Sequence, residues 1–194
     1  MKNYSIKLAQ SIQWSLEKMD LRAVSFDEQE GKFEFVREIA GPFSFLFYTI
    51  DVSQTDYTVL AFCPAKVVTG DAAAMGTAAR FVCFANHRSK RGGLELDFET
   101  GYLRYKHFVD CSEQIPSHRT VSDSICTPSI VLQSYAPAII DVFYRGKDPK
   151  CALDDCVEDL VRRCEDAKRT IAELLQKMGD VEHEENPDDE DDDS

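Results

Sequence analysis

The chain has 194 residues, 43% of them hydrophobic and 10% aromatic, which is enough for one sizeable core and too little for two comfortable domains. The formal net charge is −13, yet residues 180–194 hold ten acids and no Lys or Arg, leaving 22 basic and 25 acidic residues in 1–179. A nearly balanced body with an acidic tail has no basic face large enough to displace counterions, so nucleic acid is not an expected partner.

Residues 5–19 have helical period, with Ile6, Ala9, Ile12, Leu16 and Met19 at steps of three and four and Ser5 as the cap. From Leu21 the period drops to two through Arg22, Val24 and Phe26, and Asp27–Gly31 turns the chain. Phe33, Phe35 and Val36 begin a second strand, which Gly41-Pro42 breaks. Phe43, Phe45 and Phe47 alternate with Ser44, Leu46 and Tyr48, so both faces of the third strand are apolar and a central, buried position is expected. Buried there, Phe45→Ala or Phe47→Ala costs about 3–5 kcal/mol. Tyr57–Cys63 is a fourth strand closed by Pro64, and the short polar turns predict an antiparallel meander.

Helical period returns over 71–88, with Ala74, Ala78, Phe81, Val82 and Ala85 on one stripe, and Arg88-Ser89-Lys90-Arg91-Gly92-Gly93 ends it. A hairpin follows. With Thr100-Gly101 as a two-residue turn, Asp97 faces Arg104, Glu95 faces Lys106, Leu96 faces Tyr105 and Phe98 faces Leu103. Residues 110–127 read as a loop, and Thr127-Pro128 as N-cap and first residue of a helix that runs through Tyr144, is bent or interrupted at Pro137 and stops at Gly146. Asp148-Pro149 opens the last helix. Its seam of Leu153, Val157, Leu160, Cys164, Ala167, Ile171, Leu174 and Met178 alternates steps of four and three up to Gly179. The predicted layout is an α+β domain over 1–147, an amphipathic helix over 148–179 and a disordered acidic tail over 180–194. The domain is expected to hold an antiparallel sheet of about five to six strands packed by helices.

Little in the sequence points to chemistry. Gly70 and Gly76 lack the Lys-Ser/Thr that a phosphate loop needs. Seven cysteines (63, 83, 111, 126, 151, 156 and 164) read as reduced thiols, and no long apolar run follows Met1-Lys2-Asn3-Tyr4. Neither a signal peptide nor a membrane span is therefore expected, and the cytoplasm is the expected location. Cys156 and Cys164 would lie about 12 Å apart along a helix, too far to share one ion, so no metal or other cofactor is expected. A thiol nucleophile would pair Cys111 with His107 or His118. The candidate partner-binding residues are the seam positions Leu153, Val157, Leu160, Ile171 and Leu174 and the basic run Arg88, Lys90 and Arg91. That run either complements a helix dipole or grips an acidic partner.

The strand ending near Pro64, the helix with Phe81, Ala85 and Asn86, Gly92-Gly93, and the hairpin Leu94–Tyr105 together resemble the YbjN-type family of bacterial proteins. Tyr135-Ala136-Pro137-Ala138-Ile139-Ile140, Gly146, Pro149 and Ala152 extend the likeness to roughly residues 5–160. Members are labelled sensory-transduction regulators. The resemblance implies a type III secretion chaperone-like fold, with no established reaction, that offers a surface to a peptide or protein. Three readings stay open: a non-catalytic regulator or chaperone-like adaptor, an enzyme with an unrecognised Cys/His site, and a homo-oligomer built on the heptad helix. Addition of a partner strand at a sheet edge is a further binding mode, with the edge unassigned.

Overall fold

The computed structural model describes residues 2–21 and 24–184, and the side chains of 177–184 are outside the description. The elements are α1 (Ile6–Lys18), β1 (Ser25–Asp27), β2 (Lys32–Glu38), β3 (Phe45–Val52), β4 (Asp56–Lys66), α2 (Ala72–His87), β5 (Gly93–Leu96), β6 (Tyr102–Asp110), α3 (His118–Arg145) and α4 (Pro149–Glu184). The chain divides into a unit over residues 1–156 and a second over 157–194. The protein is α+β, and its six strands are ordered β1-β2-β3-β4-β6-β5 with every neighbouring pair antiparallel.

The first helix begins at its expected cap, and the second starts one residue inside its expected range, capped by Asp71. The Ser5 hydroxyl accepts from the Leu8 N–H, and Asp71 accepts from Ala73 and Ala74. The third helix starts about ten residues earlier than the prolines suggest. Ser117 is its cap, accepting from the Thr120 N–H, and both Pro128 and Pro137 lie inside it. Val121, Ile125, Leu132, Ala136 and Ile139 form its buried face, which packs on β4 and β6. The helix is long and apolar enough by length and composition to cross a membrane, and this buried core face accounts for that composition.

Pro128 removes one N–H from the helical ladder, and the turn before it is held from the sheet instead. The fully buried Tyr48 of β3 donates its hydroxyl to the Ile125 carbonyl at 3.0 Å. Tyr57 of β4 meets the Ser124 hydroxyl at 3.1 Å, and Ser124 in turn donates to the Val121 carbonyl. Burial pushes both phenols up to about 12. From β2, Arg37 reaches the Ser129 hydroxyl at 3.0 Å and the Cys126 thiol at 3.4 Å.

Two strands differ from expectation. The fourth continues past Pro64 to Lys66, because a register shift against β6 between Phe62 and Lys66 takes Pro64 out of the ladder. The hairpin pairs Glu95 with Arg104 and Leu96 with Leu103, a slip of two from the predicted register. Its loop runs over Asp97–Gly101, with Asp97 accepting from Glu99 and Thr100. A side chain at Gly101 would strike the Val67 carbonyl and would need φ of +76°. An even slip preserves both faces, so Glu95 still meets Arg104 at 2.9 Å and Lys106 at 3.6 Å.

The final helix runs through Gly179 to Glu184 rather than stopping at the glycine. Its first turns bury Ala152, Leu153 and Cys156 in the first unit, and Cys156 donates to the Ser134 carbonyl. In the second unit, Asp159 pairs with Arg162 and Arg163, and Asp166 with Arg169. The expected tail falls outside the described residues from Glu185 onward, as do Arg22 and Ala23.

Truncating Tyr48 to Phe removes the buried hydrogen bond to the Ile125 carbonyl, so urea unfolding is expected to register a loss of about 1 kcal/mol. Tyr57→Phe is expected to cost a similar amount, because only its hydrogen bond with Ser124 is lost and Ser124 keeps its bond to Val121.

Candidate functional site

Along each central strand one set of side chains is buried and the alternate set, Thr49 of β3 excepted, is not. Leu46, Tyr48 and Ile50 of β3 are buried, as are Tyr57, Val59 and Ala61 of β4 and Leu103 and Tyr105 of β6. These face α1, α2 and α3, so the helices of the first unit all lie on one side of the sheet. The other side carries Val36, Phe45, Phe47, Phe62 and Tyr102, and Phe45, Phe47 and Tyr102 are 48%, 39% and 41% exposed. The expectation that Phe45 and Phe47 are core residues is therefore corrected: β3 is an inner strand, but only one of its faces is covered.

Register and bulge gather these side chains. Val36 lies opposite Phe47, Phe47 opposite Phe62, and Phe62 opposite Arg104. The Phe47 and Phe62 rings are 6.0 Å apart and tilted. Beside them the irregular segment turns Cys63 and Pro64 into the wall of an open cavity of about 490 Å³, lined also by Phe45, Phe47, Phe62 and Tyr102. The flanks differ in charge. Glu34 and Glu38 flank the patch on β2. On the other side Lys66 sits over the Tyr102 ring at 5.1 Å and Arg104 over Phe62 at 6.0 Å. Arg104 is also bound by Glu95, whereas Lys66 has no acid partner among the described residues.

Both edges of the sheet are poor acceptors for an added strand. On β5 the Asn86 amide donates to the Leu94 carbonyl at 2.9 Å and accepts from the Leu94 N–H at 2.7 Å, occupying the outward main-chain groups in the middle of this four-residue strand. At the opposite edge β1 has three residues.

The sequence-derived candidates are dispersed. Leu153 is buried in the first unit. In the second unit Val157 and Leu160 are half-buried, while Ile171 and Leu174 are exposed along with Leu175. Arg88 pairs with Asp154 at 2.5 Å, and Lys90 and Arg91 follow it on the loop between α2 and β5. The Cys111 thiol hydrogen-bonds the Val109 carbonyl, and no described hydrogen bond joins it to His107 or His118. Burial raises its pKa, helped by Asp110 and Asp56, whereas a nucleophilic thiol needs a depressed one. His107 is buried on β6, its Nδ1 is unpaired, and burial lowers its pKa.

No family model and no curated protein matches the sequence. Among solved structures the chain is similar to YbjN from E. coli, at 15% identity over 66% of this chain and 90% of that one, with a TM-score of 0.45. It is also similar to a chain of the HopA1–SchA chaperone–effector complex, at 12% identity over 60% and 83%, with a TM-score of 0.36. Likeness at that level carries no functional argument, and the geometry has to supply it.

The exposed aromatic row contributes less to stability than the row behind it. Leu46→Ala is expected to cost about 2–5 kcal/mol in urea unfolding, and Phe47→Ala less than about 2 kcal/mol. With a raised pKa, Cys111 is expected to react with iodoacetamide at pH 7 more slowly than the exposed Cys83, as read by peptide mass spectrometry.

Proposed function

We propose that this protein is a non-catalytic, protein-binding adaptor that receives an apolar segment of its partner on the open face of the sheet. The observation that carries this reading is the contiguous row Val36–Phe47–Phe62, extended by Phe45 and Tyr102, on a face that the helices of the first unit leave bare. A row of half-exposed aromatic side chains adds little to folding while holding apolar surface against water, and such patches mark docking sites. Aromatic rings are also the side chains that most often dominate interface energies.

The flanks narrow the partner. The cationic side, with Lys66 and Arg104, suits acidic residues next to the apolar anchor, and the Glu34–Glu38 side disfavours them. Because Asn86 closes one edge and β1 is short, side-chain burial on the face is favoured over strand addition. The raised pKa of Cys111 weighs against the thiol-enzyme alternative.

Affinity purification of the full chain from its native cell, beside the double variant Phe47→Ser/Tyr102→Ser, tests this. The wild type is expected to retain one specific protein that the variant loses, with both giving the same circular dichroism. Equal retention by the two would remove the open face from the account, and retention of nothing at low salt would remove the adaptor.

A further inference from the structure

The loop that joins α2 to β5 forms one wall of a second cavity, of about 300 Å³. Its floor is apolar, built by Ala85 of α2, Leu94 of β5, and Val131 and Tyr135 of α3. Its rim is cationic, built by Arg88, Lys90 and Arg91. The loop backbone is fixed. Tyr105 donates its hydroxyl to the Arg91 carbonyl, and Ser89 donates to the Gly92 carbonyl at 3.0 Å. A Cβ at Gly92 would collide with the Lys106 carbonyl and lie 2.7 Å from the Tyr105 ring, so the chain passes there with no room to spare.

The dipole of α2 does not account for all three cations. Arg88, at the cap itself, meets the helix end and is committed to Asp154. Lys90 and Arg91 lie beyond the cap, and neither side chain has an ion pair or hydrogen bond among the described residues. The Tyr135 hydroxyl makes no described hydrogen bond either, and burial raises its pKa. Three polar groups with no partner among the described residues thus surround an apolar hollow, beside a loop whose backbone is tied at Arg91 and Gly92. The volume is at the small end of ligand cavities, about 300–1,000 Å³, which excludes a dinucleotide and admits a body of about a dozen non-hydrogen atoms.

We propose that this cavity is a binding site for a small apolar carboxylate. Its aromatic or branched body lies on Leu94, Val131 and Tyr135, and its carboxylate meets Arg91 and Lys90. A guanidinium fork matches a carboxylate through two parallel hydrogen bonds, and a phosphate monoester offers related oxygens with more charge. The site shares no residue with the aromatic sheet face, so the two proposals stand or fall separately.

Isothermal titration of the full chain with 3-phenylpropionate, 3-phenylpropanol and phenyl phosphate tests the assignment. Saturable one-to-one binding of 3-phenylpropionate is expected, with the alcohol at least about tenfold weaker. Arg91→Gln is expected to weaken the acid about tenfold and Val131→Trp to abolish its binding by filling the hollow. Phe47→Ser leaves the affinity unchanged. Absence of saturable binding by the acid overturns the proposal, as does equal affinity in wild type, Arg91→Gln and Val131→Trp. Preference for phenyl phosphate over the acid overturns the carboxylate assignment. If Val131→Trp fails to fold, Arg91→Gln on the exposed rim carries the decision.

Discussion

The attachment of α3 to the inner side of the sheet sets up the rest of the molecule. A helix with two internal prolines has main-chain groups that its own ladder does not satisfy, and a buried carbonyl without a partner costs about 1–3 kcal/mol. Side chains from the sheet tie this part of the helix down: Tyr48 donates to the Ile125 carbonyl, Tyr57 engages Ser124, and Arg37 reaches Ser129 on the other side of Pro128. Three strands thereby hold one turn of one helix. With α3 fixed there, α1 and α2 pack beside it and the helical layer of the first unit lies on a single side.

The opposite side then bears a consequence of the strand sequences. A strand that is apolar on both faces suits a sheet covered on both sides. Here β3 is apolar on both faces, with Phe45 and Phe47 on the second, and no helix of the first unit packs against them. The irregular ladder at Pro64 keeps β4 going long enough to place Lys66 beside Tyr102, so the patch acquires a cationic border as well as an aromatic centre. Asn86 meanwhile blocks the nearest edge. An exposed apolar face with protected edges can recruit an apolar partner while resisting the edge-to-edge pairing that leads to aggregation.

Much of the architecture was legible in local pattern. The order of elements, the cap Ser5 and the antiparallel meander all follow from period and turn chemistry. What failed were positions where tertiary contacts override local rules. Pro128 looks like the first residue of a helix, because sequence does not reveal that Tyr48, Tyr57 and Arg37 would hold the turn around it from the sheet. Pro64 looks like a strand end, because a bulge is invisible without its partner strand. The hairpin slipped by two, since Asp97 capping a longer loop competes with a two-residue turn. The candidate site was legible in part and misread. The Phe45–Phe47 alternation is the signal, and it reads as two-sided burial because nothing in one strand says how many helical layers the fold will have. The Asn86 bonds to Leu94 left no sequence signal.

Site-specific photo-cross-linking tests the central claim most directly. Benzoylphenylalanine replaces Phe47 or Tyr102 on the open face, and in a control chain Ile130, an exposed position on α3. Cells expressing each full-length chain are irradiated and the adducts identified by mass spectrometry. The expected result is one common protein captured from positions 47 and 102 and not from 130. Capture from 130 alone, or adducts at 47 and 102 that share no protein, would contradict the assignment of the open sheet face as the docking surface.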